Sequence, residues 1–396
     1  MKVLRLSWIV LAGLVVLMPV AWSAPPVVHH SGATPVGGQR YLGTVLAQST
    51  VATEPEAVKR IVASAERGDP DSQNQLGMMY ENGEGVPQDF IQAAKWYRKA
   101  ADQGLGDAQL NLGVLYENGE GVDRDLKQAA SWYRKAARQG MLLAQYTLGL
   151  MLKEGRGIPQ DYAEAAKWLG KVAAEGYAVA QINLAFLHLE GLGLPQDHVK
   201  AAKLFRLAAD KGHPVAQNNL GYLHRAGRGV DQNDEEAARW HLSAAEQGLA
   251  NAQLQIANLY RDGLGVKQGF IESARWYRKA ADQGEPLAQM AVGINYRDGR
   301  GVRQSVEKAA RWLRLAADQG VAEAQYHLGN LYAEGRGAPP DDVQAYLWLS
   351  LAAKGASSDD LQAQVKDSRT RLAADMTAAQ IAEAERMAAA WQPKSP

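Results

Sequence analysis

The chain has 396 residues, no cysteine and a formal net charge of zero, with 43 Lys and Arg against 43 Asp and Glu. That balance excludes a global field drawing the protein to nucleic acid or to an acidic membrane surface. The lack of cysteine excludes disulfides, thiol catalysis, a cysteine-linked lipid anchor and zinc sites with sulfur ligands.

Residues 1–24 have the pattern of a secretory signal. Lys2 and Arg5 give a positive start, Leu6 to Val20 are mostly apolar, and Ala21-Trp22-Ser23 offers a small-x-small cleavage site. Cleavage before Ala24 is the favoured reading, and an uncleaved membrane anchor is the alternative. Residues 25–52 contain Pro25, Pro26, Gly32, Pro35, Gly37 and Gly38 without sustained periodicity and read as a flexible leader. His29 and His30 have no nearby third ligand, so a solvated tail is favoured over a metal pair. Residues 53–68 form one amphipathic helix, with Ala57, Ile61 and Ala65 at i, i+4 and i+8, placed as an N-terminal cap.

From 69 to 355 the chain repeats itself. Glycine recurs every 36 residues, at Gly68, Gly104, Gly140, Gly176, Gly212, Gly248, Gly284 and Gly320. Glutamine keeps the same step from Gln73 to Gln325. A fixed period of this length marks stacked units that cannot bury their apolar face alone. Within one unit, Ala108, Leu112, Leu115 and Tyr116 share a helical face (helix A). Gly119 and Gly121 interrupt it, and Ala129, Trp132, Tyr133, Ala136 and Ala137 form a second face (helix B). Asp125 and its equivalents Asp89, Asp161, Asp197, Asn233, Gly269, Ser305 and Asp341 stand at the N-cap of helix B. Gln or Glu three residues on predicts a capping box in most copies. The 36-step glycines end helix B through a left-handed C-cap. The predicted fold is all-α, an α-solenoid of eight helix-turn-helix repeats.

Tryptophan recurs on helix B at Trp96, Trp132, Trp168, Trp240, Trp276, Trp312 and Trp348, with Leu204 in the fourth copy. Sharing a face with small alanines, these read as core rather than as a ligand-stacking platform, and the fourth repeat is expected to be softer. Residues 356–396 supply capping helices: Asp359 to about Ala374, and a last helix from Thr377 with Gln380 as its capping-box partner and Ile381, Ala384, Met387, Ala388 and Trp391 as its apolar stripe.

The pattern AQ-x-x-LG-x-x-Y-x-x-G-x-G-V-x-x-D-x-x-x-A-x-x-W-x-x-KAA-x-x-G resembles the Sel-1-like repeat, a relative of the tetratricopeptide repeat. The resemblance implies a right-handed α-superhelix and a role in protein–protein scaffolding, including envelope assembly, signalling and host interaction. It also implies that outward positions of helix A line a concave face. Carried over by position, these are Tyr146, Leu150, Ile182, Phe186, Leu189, Tyr222, Arg225, Leu254, Arg261, Ile294, Arg297 and Tyr326. Central copies are apolar and aromatic, and Arg225, Arg261 and Arg297 form a basic row, which suits an extended or helical peptide with some acidic residues. The alternative is that Tyr146, Ile182 and Phe186 only pack between neighbouring helices.

No cofactor or catalytic site is expected. The Gly-x-Gly turns lack the preceding strand and Lys-Ser/Thr of a phosphate loop. His188 and His224, 36 residues apart on helix A, have no third ligand with which to hold a metal. Some cysteine-rich relatives are credited with penicillin binding or hydrolysis, and this cysteine-free chain departs from them. The expected protein is therefore a non-enzymatic scaffold or regulator of the bacterial envelope, periplasmic or secreted, binding a protein or peptide. It would meet a membrane only through an uncleaved N-terminal segment. A cell-wall-acting or β-lactam-binding enzyme is the alternative.

Overall fold

The computed structural model describes residues 55–337 and 339–394. The expected signal segment, leader and His29–His30 pair lie outside them. Nineteen helices succeed one another among the described residues. A lone helix, α1 (Pro55–Glu66), comes first. Four hairpins follow: α2 (Pro70–Asn82) with α3 (Phe90–Asp102), α4 (Gly106–Asn118) with α5 (Leu126–Arg138), α6 (Leu142–Glu154) with α7 (Tyr162–Ala174), and α8 (Ala178–Glu190) with α9 (His198–Asp210). Four more are α10 (Pro214–Ala226) with α11 (Asp234–Glu246), α12 (Ala250–Asp262) with α13 (Phe270–Asp282), α14 (Pro286–Asp298) with α15 (Val306–Asp318), and α16 (Ala322–Ala333) with α17 (Asp342–Gly355). The chain closes with α18 (Asp359–Ala374) and α19 (Ala378–Ala390). From α1 to α17 each helix packs on the one before and the one after, an all-α solenoid of helical repeats.

Local chemistry sets the helix ends. Helix A typically stops at a left-handed glycine such as Gly83 (φ 73°), whose N–H bonds Met79 O. Helix B starts where a side chain accepts from its first turn, as Asp125 Oδ1 does from Lys127 N and Gln128 N at 2.9 and 3.0 Å. Gly269 is the N-cap without such a bond. The capping boxes predicted for the repeats do not form. A box needs the N-cap N–H free, and here helix A already takes it: Asp89 N bonds Tyr80 O and Asp125 N bonds Tyr116 O, at 2.8 and 2.9 Å. The box does form at α19, between Thr377 and Gln380. The second turn glycine answers a packing demand, since a Cβ on Gly121 would lie 2.0 Å from Phe90 O of the preceding repeat.

Two rows of side chains join the repeats. The first is the glutamine row, buried throughout. Each Nε2 donates to a carbonyl eight residues back, from Gln73 to Ala65 O (3.0 Å) through Gln325 to Ala317 O (3.1 Å). A second glutamine, just before the 36-step glycine, donates to the first one's Oε1: Gln103 to Gln73, Gln139 to Gln109, Gln247 to Gln217, Gln283 to Gln253 and Gln319 to Gln289, at 2.8 to 2.9 Å. Glu175 and Lys211 stand in that place in the middle of the solenoid, and the buried Oε1 atoms of Gln145 and Gln181 have no partner. Lys211 instead donates to Gly176 O.

The second row is tryptophan. Trp132, Trp168, Trp240 and Trp348 are buried and Trp96, Trp276 and Trp312 partly so, which places the tryptophan row in the packing. At four junctions an arginine of the preceding helix B stacks on the ring: Arg98 on Trp132, Arg206 on Trp240, Arg278 on Trp312 and Arg314 on Trp348, at 4.7 to 5.2 Å. The fourth repeat has Leu204 in place of the ring and Gly170 in place of the arginine that would cover it.

At the C-terminus, α19 starts 36 residues after α17, and α18 one residue later than a ninth helix A would. They do not fold as a ninth hairpin. Both pack on α17, with α18 also reaching α16. Trp391 meets Trp348 edge to face at 6.4 Å, and Lys394 bonds Asp318 through both backbone N–H and ammonium.

Candidate functional site

The odd-numbered helices α3 to α17 carry the alanine–tryptophan faces, and the even-numbered helices α2 to α16 form the other layer. On the resemblance drawn from the sequence, this second layer is the inner, concave one. Tyr222 lies within electrostatic reach of Glu285, and Arg261 of Glu323, each pair two repeats apart. Neighbouring helices pack about 8–10 Å apart, so such pairs interact through long side chains reaching along the layer.

The row expected to meet a partner divides into three groups. Ile182, Leu189 and Leu254 are 7%, 4% and 6% exposed, so they serve as the floor of the layer rather than as contact surface. Tyr146, Leu150, Phe186, Tyr222, Ile294 and Tyr326 are half-buried and present an edge. Burial pushes the phenols of Tyr146 and Tyr222 up to about 12. Phe186 stacks edge to face on Phe205 at 5.1 Å, and Tyr222 on His241 at 5.0 Å.

The third group corrects the expected basic row. Arg261 bonds Asp262 through Nε and Nη2, at 2.8 and 2.9 Å, and this bond raises its pKa further. Arg297 bonds Asp298 at 2.7 Å and donates from Nη1 to His327 Nδ1 at 2.9 Å. Two of the three charges are thus matched by the residue that follows each arginine. Arg225 is followed by Ala226, is half-buried, and has no hydrogen bond or ion pair among the described residues.

Asn183, Asn251, Leu143 and Leu287 of this face were not singled out from sequence. Tyr222 donates to Asn251 Oδ1 at 2.7 Å, Asn218 to the same oxygen at 3.3 Å, and His241 Nδ1 to Asn218 Oδ1 at 2.9 Å. Lys153 donates to Asn183 of the next repeat at 2.7 Å. Leu143 and Leu287, like Asn251, stand three residues after a 36-step glycine and are 39% and 47% exposed. That recurrence is the signal that would have found them. At the N-terminal end the acids are engaged: Glu117 accepts from Tyr133 OH and Arg156, at 2.7 and 2.8 Å, and Glu81 from Tyr97 OH. Among the described residues no group of three His, Asp or Glu is placed to hold a metal ion, and no helix is long and apolar enough to cross a membrane.

These features define a class, a helical-hairpin repeat solenoid built of two helix layers. The Sel1 repeat model matches residues 70–105, 106–141, 142–177, 178–213, 214–249, 250–285, 286–321 and 322–357, and the chain belongs to the Sel1 repeat family. A Sel1 repeat protein from Oxalobacter formigenes is 34% identical, over 80% of this chain and 94% of that one, with a TM-score of 0.65. A protective antigen of uropathogenic Escherichia coli displaying the same fold is 32% identical, over 84% of this chain and 78% of that one, with a TM-score of 0.58. No curated protein matches the chain. Sel1 repeat proteins are in general protein-interaction scaffolds, and repeats of this type are typically non-catalytic.

Proposed function

We propose that this protein is a non-enzymatic scaffold whose inner helix layer binds a segment of a partner protein. The observation that carries this reading is the half-exposed row Tyr146, Leu150, Phe186 and Tyr222, large side chains in successive repeats, ending at a cation without a partner. Aromatic and arginine side chains in partly desolvated grooves supply most of the energy of such contacts. The proposed setting is the bacterial envelope, in the periplasm or outside the cell. The support for it is the secretory pattern of residues 1–24.

The test is an in-cell crosslinking pull-down comparing the wild type with a variant carrying Tyr146→Ala, Phe186→Ala, Tyr222→Ala and Arg261→Ala. Partners lost from the variant, with circular dichroism and melting intact, support the inner face. The same partners in both would move the interaction to another surface.

A further inference from the structure

We infer that the partner segment carries a carboxylate that pairs with Arg225. This rests on the inner-face reading above and adds to it the chemistry of the occupant.

The argument starts from a difference between equivalent residues. Arg225, Arg261 and Arg297 occupy one position in successive repeats, each followed by the last residue of its helix. In two repeats that residue is an aspartate that closes on the arginine, and in the third it is Ala226. A guanidinium presents five N–H donors and cannot shed its charge, so one held half-buried with water as its acceptor is open to an incoming anion. Among the described residues, none of the acceptors around it, Gln255 of the next repeat included, is bonded to it. Tyr222 spends its hydroxyl on Asn251, and Asn218 spends its Oδ1 on His241. Glu285, within reach of Tyr222, caps α14 by accepting from Ala288 N at 2.6 Å.

The approach to Arg225 is apolar. Tyr222 meets Asn251 because the residue ten after one glycine faces the residue three after the next. The same register sets Leu150 across from Val179 and Phe186 across from Val215, all half-buried. The fitting occupant has apolar side chains over repeats 3 and 4 and an Asp, a Glu or a chain end at repeat 5. Residues 25–53 of this chain contain no aspartate or glutamate, so that segment cannot supply the carboxylate from a side chain.

The test selects random twelve-residue displayed peptides on the full chain, on Arg225→Gln and on Ala226→Asp. Ala226 is exposed at a helix end, so Ala226→Asp leaves the fold intact while giving Arg225 the internal partner its neighbours have. The wild type is expected to enrich apolar peptides bearing Asp or Glu. Both variants should retain the apolar preference and lose the acidic one. For the tightest peptide, changing the acid to its amide should weaken binding to the wild type about tenfold, the effect of one charged hydrogen bond. The same change should leave binding to either variant within about twofold. An equal loss in all three proteins would overturn the carboxylate site while leaving the groove in place. No enrichment, or unchanged binding to a Tyr146→Ala, Phe186→Ala protein, would remove the groove and the site with it.

Discussion

Glu175 and Lys211 interrupt the glutamine row at one place, and the interruption should soften the solenoid there. Five junctions close the row with a Gln–Gln bond of 2.8 to 2.9 Å. At the other two, the buried Oε1 of Gln145 or Gln181 lacks a donor. A buried acceptor left unmade costs about 1–3 kcal/mol, and a made bond contributes about 0.5–1.5. Glu175→Gln should therefore stabilise by about 1 kcal/mol. Lys211→Gln should give about 0.5, because Lys211 already donates to Gly176 O. In a repeat array each unit feels mainly its neighbours, so the gain should stay in α6 to α9 rather than spread along the chain. Together the two changes should slow hydrogen exchange of those amides about tenfold, with little change in α12 to α15. Glu175→Ala removes the carboxylate without supplying an N–H and should not reproduce the effect. Gln139→Glu should open the same gap beneath Gln109 and speed exchange in α4 and α5. Unchanged protection in the restored protein, or equal protection in Glu175→Ala, would refute the reasoning.

Four further outcomes follow from the packing. Gly170 sits inside α7, where an added Cβ would meet only Leu184 Cδ2, at 3.9 Å, so Gly170→Ala should raise stability by about 0.5–1 kcal/mol. Gly113→Ala should lower it by about 1–3 kcal/mol, because its Cβ would stand 2.8 Å from the Tyr133 ring; thermal melting of the pair checks both. His241 is fully buried, and burial holds its pKa down to about 3. Below the ordinary value of 6.5 the unfolded chain takes the proton and the native one does not, so stability falls as pH drops from 6.5 towards 3, by up to about 1.4 kcal/mol per unit. His241→Phe, the residue type at Phe205, should flatten that limb in urea melts at pH 7, 6, 5 and 4, and parallel limbs would contradict the assignment. Trp348→Ala should cost about 3–5 kcal/mol, since Trp348 is 2% exposed and joins the last repeat to Trp391; a smaller loss in denaturant melts would mean the cap does not depend on it.

The fold was legible because period, caps and apolar spacing agree. Gly104, Asp125 and the Trp132 face each predict the same hairpin, and each recurs at 36 residues. The capping boxes were over-read because spacing alone cannot show that Asp125 N is already bonded to Tyr116 O. The candidate site was half legible. Helix A positions could be counted, but burial of Ile182, Leu189 and Leu254 depends on how tightly adjacent repeats close. The difference between Arg225 and Arg261 was written in the next letter, Ala226 against Asp262. Its meaning required seeing that the aspartate folds back onto the arginine. The gap at Gln145 and Gln181 needed the pairing of two glutamine positions 30 residues apart, which the 36-residue period does not display.

The most direct test of the account places a photo-crosslinking residue at Phe186, on the inner layer, or at Lys203, exposed on α9 of the other layer. Each protein is irradiated with the tightest selected peptide and the adduct is mapped. The account predicts an adduct from Phe186, suppressed by excess unlabelled peptide, and none from Lys203. Crosslinking from Lys203 alone, or equal crosslinking from both positions, would contradict binding at the inner face.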